Sequence, residues 1–325
     1  MKNLFVALTI AVETLTLAGC RDSEDSEPVG REIEFAPLVD SRSDPSVVAD
    51  SVKDFDVLGS YVKDGSIGTF AGDGYDRIHV SRPAPAYVSW TCTPVRYWID
   101  GTTYYFAATY PSGLDVTQTI EKGSGTADNS FVNSLTISDL TIDGKRDIVV
   151  SIPEPILASG DMSPVSLQFV HLMSKISLTF VNGFHKDDID MEIKDVTLYG
   201  AYTHIESVTL TKKPGEPVEA NWVPDESSGE ALIDFDALPG GKIKEGASVT
   251  TDPIIVLPCT HDKCYTVKFT VRTYLFGIIE QDYEMFATID GVEFSPGDSY
   301  NFTATINSSN LPDVANAVPL RLKRQ

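Results

Sequence analysis

The chain is poor in the residues that carry out chemistry. Its 325 residues include 4 cysteines, 5 histidines, 5 methionines and 3 tryptophans. Neither G-x-S-x-G nor H-E-x-x-H occurs, and Gly241-Lys242 lacks the upstream glycine and following Ser/Thr of a phosphate loop. His79, His171, His185, His204 and His261 are scattered, so no acid, base and nucleophile set forms; no catalytic residue, enzyme activity or cofactor is expected. Positive charge is also scarce. With 25 Lys and Arg against 47 Asp and Glu, the net charge is −22 and no basic stripe exists, which argues against nucleic acid as a partner. After residue 20 no apolar run approaches the length of a membrane-spanning helix. Helical periodicity is nearly absent as well, so a helical bundle is excluded.

Metal sites fare no better. Cys259-Thr260-His261-Asp262-Lys263-Cys264 offers three soft ligands with no second cluster to complete a tetrahedron. Cys259 and Cys264 can instead close a loop disulfide, leaving Cys92 as a small buried residue or a free thiol. The acidic stretches His185 to Asp190 and Gly72 to Asp76 do not follow a calcium-loop pattern and read as solvated turns. No metal is expected.

What is present begins at the N-terminus. Lys2, the short apolar run Leu4 to Val12, and Leu17-Ala18-Gly19-Cys20 make an export signal followed by a lipid-accepting cysteine. Glu13, late in the apolar run, is its one unusual residue. Residues 1–19 read as a removed signal, Cys20 as the lipidation site, and the protein as an outer membrane lipoprotein. Residues 20–31 are acidic and rich in Ser, Pro and Gly, a tether unable to offset its own ordering entropy, with a reach of about 40 Å.

The rest is a chain of strands. Tyr265 to Arg272 alternates Tyr, Val, Phe and Val with Thr, Lys, Thr and Arg, the pattern of a half-buried antiparallel strand. Ser174 to Phe180, Met191 to Tyr199, Ile205 to Leu210 and Tyr300 to Ile306 read alike. In the first half Phe55 to Val62, Arg77 to Ser81, Tyr87 to Trp90, Thr103 to Tyr110 and Asp147 to Ile152 are expected strands. Short strands between Gly, Asp, Pro and Ser clusters indicate an all-β fold of β-sandwiches. The turn formers from Ala158 to Pro164, followed by a strand from Val165 to Val170, divide the chain into domains at 32–160 and 161–325.

Several segments resemble the fimbrillin family of Bacteroidales, lipoprotein subunits of surface fimbriae. Ile33-Glu34-Phe35, Ser41-Arg42-Ser43 and Phe55 to Tyr61 are similar to the family's opening. Trp90, Pro94, Tyr97-Trp98 and Phe106 to Pro111 resemble its aromatic middle. His171-Leu172-Met173-Ser174-Lys175-Ile176 resembles the strand that opens its second domain, and Phe294 to Tyr300 its pre-terminal turn and strand. The tail, Leu320 to Gln325, departs from the pattern in having no aromatic residue. The acidic run after Cys20 also resembles the signal that sends Bacteroidetes lipoproteins to the outer face of the outer membrane, although a solvated linker has the same composition.

The resemblance implies two tandem transthyretin-like, Greek-key sandwiches and a role in an adhesive fibre built with other fimbrial subunits. It implies that an Arg-specific protease removes the lipid and first strand, and that a neighbour's strand fills the groove. On this chain the displaced strand is Glu32 to Leu38, with Ile33 and Phe35 inward. Arg42, in a polar stretch, is the cleavage candidate, or an ordinary loop arginine in a chain that stays anchored. Val318, Leu320 and Leu322 alternate with Pro319, Arg321 and Lys323 as a donor strand, or as the last strand of the chain's own second sandwich. A rival reading is a non-polymerising surface lipoprotein: a fimbrial anchor or tip, or a glycan binder using Tyr97, Trp98, Tyr104, Tyr105 and Tyr110. A host or bacterial surface receptor is the further partner implied.

Overall fold

The structure is a computed structural model, and it describes residues 30–39, 53–72, 76–82, 90–123, 131–160, 162–185, 189–228, 231–236, 238, 240–258, 265–289, 292–312, 320–321 and 323–324. Strands dominate, with a single 3-10 turn at Glu226–Ser228 among the described residues. They form four sheets.

The first sheet has nine strands and runs Phe35–Val39, Val165–His171, Val149–Ser151, Thr103–Tyr110, Asp54–Lys63, Ile78–Ser81, Thr91–Thr93. Ile156–Leu157 and Ser66–Thr69 pair beside this path. The second sheet orders Glu219–Pro224, His204–Lys212, Phe131–Thr141 and Asp115–Lys122. In the third, Ser174–Asn182 pairs with Ser248–Thr250, Ile254–Val256 and Ser299–Ile306. The fourth orders Ala231–Asp234, Ile189–Ala201, Tyr265–Leu275 and Ile278–Ile289.

Alternation explains these strands. Tyr265, Val267, Phe269 and Val271 are buried, while Thr266, Lys268, Thr270 and Arg272 lie on the half-exposed face. On that face Arg272 stands opposite Asp282 and makes two hydrogen bonds to it, at 2.6 and 2.7 Å. Phe180 of the third sheet meets Phe269 of the fourth, ring centroids 4.9 Å apart, so the two sheets face one another across a shared core. That core continues to Leu135 and Ile137 of the second sheet and to Leu58, Ala107 and Val150 on the outer face of the first. The first sheet curls around a separate core of its own, which holds Ile33, Phe35, Phe55, Phe106 and Phe169.

Sheet membership crosses residue 160. Val165–His171, just after the turn cluster, pairs in parallel with Phe35–Val39 and antiparallel with Val149–Ser151. The second sheet takes two strands from each side of that point. The strand expected at Tyr87 to Trp90 falls largely on residues 87–89, outside those described, and a short strand stands at Thr91–Thr93 instead.

Candidate assembly site

The sequence reading singles out the opening strand and the tail. In the opening strand Ile33 and Phe35 are 2% and 4% exposed, whereas Leu38 is 58% exposed. The ladder begins at Phe35; Glu32 enters earlier through a single bridge to Tyr97. Phe35 pairs with Val165, and the register continues to Val39 opposite Phe169. On the other side Ile33 N–H donates to the Arg96 carbonyl at 2.8 Å, and Trp98 N–H donates to the Arg31 carbonyl at 3.0 Å. Residues 96–98 follow the far strand of the same sheet, so the opening segment closes the sheet upon itself.

Aromatic rings form the floor of this slot. Phe35 meets Phe70 and Phe106 edge-on, at centroid distances of 6.2 and 5.4 Å. Trp98 packs against Tyr104 at 4.9 Å, and Tyr104 stacks on Phe106 at 5.7 Å. Trp98, Tyr104 and Tyr105 are buried, and Tyr97 and Tyr110 half-buried, so this aromatic group packs the sheet. Cys92 is half-buried beside the slot, its thiol directed at the Ile33 carbonyl 3.8 Å away. Burial, reinforced by the carboxylates of Glu32 and Glu34, pushes this thiol up to about 11. It stays protonated at neutral pH and is a poor nucleophile.

Two ion-pair clusters stiffen the scaffold. Buried Asp56 accepts from Gly113 N–H at 2.8 Å, lies 3.1 Å from His79 Nδ1, and stands 3.5 Å from Arg77 Nη1. In the second sheet His204 Nε2 lies 2.7 Å from Asp139, and its Nδ1 is 3.3 Å from Asp225. The hydrogen bond with Asp139, with the charges of both carboxylates, raises the His204 pKa above its ordinary value. His171, scattered in sequence from the other histidines, bonds Asp147 at 2.7 Å and is a packed strand residue.

The tail pairs with its own chain. Leu320–Arg321 runs parallel to Ala287 and Thr288, and Lys323–Arg324 antiparallel to Phe302 and Thr303. It therefore joins the edge of the fourth sheet to the edge of the third. Cys20, Arg42, Val318 and Leu322 lie outside the described residues, as do Cys259 and Cys264. Of the sequence candidates, the structure brings Ile33 and Phe35 into one core and puts Leu320 at a different pair of sheets. The half of the slot formed by Val165–Phe169 and Arg96 escaped the sequence reading, because no local signal marks a parallel partner so far along the chain.

The family model described as fimbrillin-like matches residues 52–318. No curated protein matches the sequence. Among solved structures, one from Bacteroides ovatus titled "putative cell adhesion protein" is 15% identical, with 91% of this chain and 96% of that chain covered and a TM-score of 0.45. The fimbrial anchor protein Mfa2 from Porphyromonas gingivalis is 12% identical, with 90% and 94% covered and a TM-score of 0.34.

Proposed function

The chain belongs to the fimbrillin-like family, and on that premise we propose that it is a structural, non-enzymatic subunit of a surface fimbria, assembled by strand exchange. Family membership gives it a fimbrial, cell-surface role in association with other fimbrial subunits. In the finer reading it is exported as a lipoprotein acylated at Cys20 and cut after Arg42 by an Arg-specific protease. A neighbour's tail, Val318 to Leu322, then occupies the vacated slot. Two tandem transthyretin-like sandwiches belong to the same reading, with the first extending past residue 160 to include Val165–His171.

The seat of the opening strand is the observation that carries it. Removing residues up to 42 withdraws Ile33 and Phe35 from the first core and leaves backbone groups unpaired on two walls, Arg96 to Trp98 and Val165 to Phe169. A donor strand with alternating apolar residues restores both the hydrogen bonds and the burial. The tail suits donation, since among the described residues it pairs with its own chain through two ladders of two residues each. The rival glycan-binding reading has less support, because the aromatics it would use are engaged in packing.

Limited digestion of the purified mature protein tests the reading. A single cut after Arg42, followed by high-mass species that resist warm detergent, is expected, and Arg42→Ala should abolish both. A protein cut at Arg42 that stays monomeric would overturn strand exchange. A glycan-dependent shift by such a monomer would favour the rival.

A further inference from the structure

Phe35, Phe70 and Phe106 form a trio in which each ring stands nearly perpendicular to the other two. The planes of Phe35 and Phe70 meet at 81°, those of Phe35 and Phe106 at 89°, and those of Phe70 and Phe106 at 88°. Phe70 and Phe106, 5.0 Å apart, are held by elements other than the opening strand. Phe106 belongs to Thr103–Tyr110, and Phe70 N–H donates to the Gly59 carbonyl at 2.8 Å. Gly59 admits both rings, since a Cβ there would come within 2.8 Å of Phe70 Cβ and 3.0 Å of Phe106 Cδ1. Two rings of the trio therefore keep their own supports when the opening strand leaves.

The tail offers this position something smaller. No aromatic residue follows Phe302 in the chain. Whichever of Val318, Leu320 and Leu322 takes the place of Phe35, the third ring is missing. An aliphatic side chain has no positive ring edge to set against a neighbouring face, and it leaves part of the volume empty.

We propose that the vacated slot selects a donor strand with phenylalanine at the position of Phe35 and an aliphatic residue two places away. Its preferred partner is then a second kind of fimbrial subunit, and the tail of a copy is the weaker occupant. The inference rests on strand exchange and narrows its partner. Phenylalanine suits the position better than the other aromatics. Tyrosine and tryptophan bring a hydrogen-bond donor that needs a partner when buried, and the two facing rings offer none.

Peptide exchange into the full chain tests this. A protease site introduced between residues 40 and 50 nicks the chain after the opening strand and removes nothing. Four fluorescent peptides are then supplied in excess, and incorporation is read by anisotropy. They are residues 30–39, the same with Phe35→Leu, residues 316–325, and the same with Leu320→Phe. Two edge-on contacts separate each Phe form from its Leu form, so the Leu forms should bind about tenfold more weakly. Phe70→Leu in the nicked chain removes one of those contacts and should narrow the preference to about threefold. Equal binding of the Phe and Leu forms, or a preference untouched by Phe70→Leu, would overturn the proposal and leave strand exchange standing. Incorporation of none of the four peptides would overturn strand exchange itself, and this proposal with it.

Discussion

Phe35 stands edge-on to Phe106, ring centroids 5.4 Å apart and planes at 89°, which ties the start of the chain to the centre of the first sheet. Edge-to-face geometry sets the positive edge of one ring against the negative face of the other and adds to the burial of both. Phe35→Ala removes the ring from a closed core and should cost about 3–5 kcal/mol. Leu38→Ala, three residues on and largely exposed, should change stability by less than about 0.5 kcal/mol. Midpoints of urea unfolding check the contrast. Equal effects would mean that the opening segment is not seated as a strand.

Asp56 makes a second prediction. It is buried, and three groups converge on it: Gly113 N–H, His79 and Arg77. Asp56→Ala strands these donors and should lower stability by about 3 kcal/mol. Asp56→Asn keeps an acceptor for Gly113 and should recover part of the loss. Thermal melts of the two variants against the parent distinguish a specific network from simple loss of volume.

The strands were legible where one face is buried and the other wet. Tyr265 to Arg272 follows its two-residue period residue by residue, and Ser174 to Phe180 does so as far as Leu178, Thr179 being buried through its hydrogen bonds to Thr250 and Asn301. Phe131–Thr141 escaped because Asn133 occupies an inward position ahead of Leu135 and Ile137. Its amide donates to the Phe106 carbonyl at 2.9 Å and accepts from Gln118 at 2.7 Å, so a polar residue sits in the core without penalty, and the apolar pattern is broken. Ile33 and Phe35 could be read as inward from their spacing. That Val165–His171 is their partner could not, since parallel pairing across more than a hundred residues leaves no trace in either segment. The exposed turn at Phe276 and Gly277, between Tyr265–Leu275 and Ile278–Ile289, was missed for a related reason: as a sequence, Leu-Phe-Gly-Ile-Ile reads as core, and only the turn turns it outward.

His204 should make stability depend on pH near neutrality. Its pKa is raised above the ordinary 6.5 by the hydrogen bond with Asp139 and the charges of Asp139 and Asp225. A raised folded value means a contribution fully present below the unfolded pKa and lost as pH rises through the folded one. The parent should therefore lose stability relative to His204→Gln between pH 6.5 and its raised value, and the two should run parallel above it. Titrating the His204 ring by NMR supplies the folded pKa; a value at or below 6.5 would contradict the pairing.

Phe276→Asn should stabilise the fold even as it removes the exposed ring. At φ of 51° a phenylalanine is held in the left-handed region, where an L side chain costs about 1–2 kcal/mol and Asn is far better tolerated. The variant should melt higher, by about 2 °C for a chain of this size. Gly277→Ala should do the reverse, since it places a Cβ at φ of 83°. Together these two variants distinguish a retained strain from a harmless one. Calorimetry of Phe276→Asn checks this, and an unchanged or lowered melting temperature would show that the turn carries no such strain.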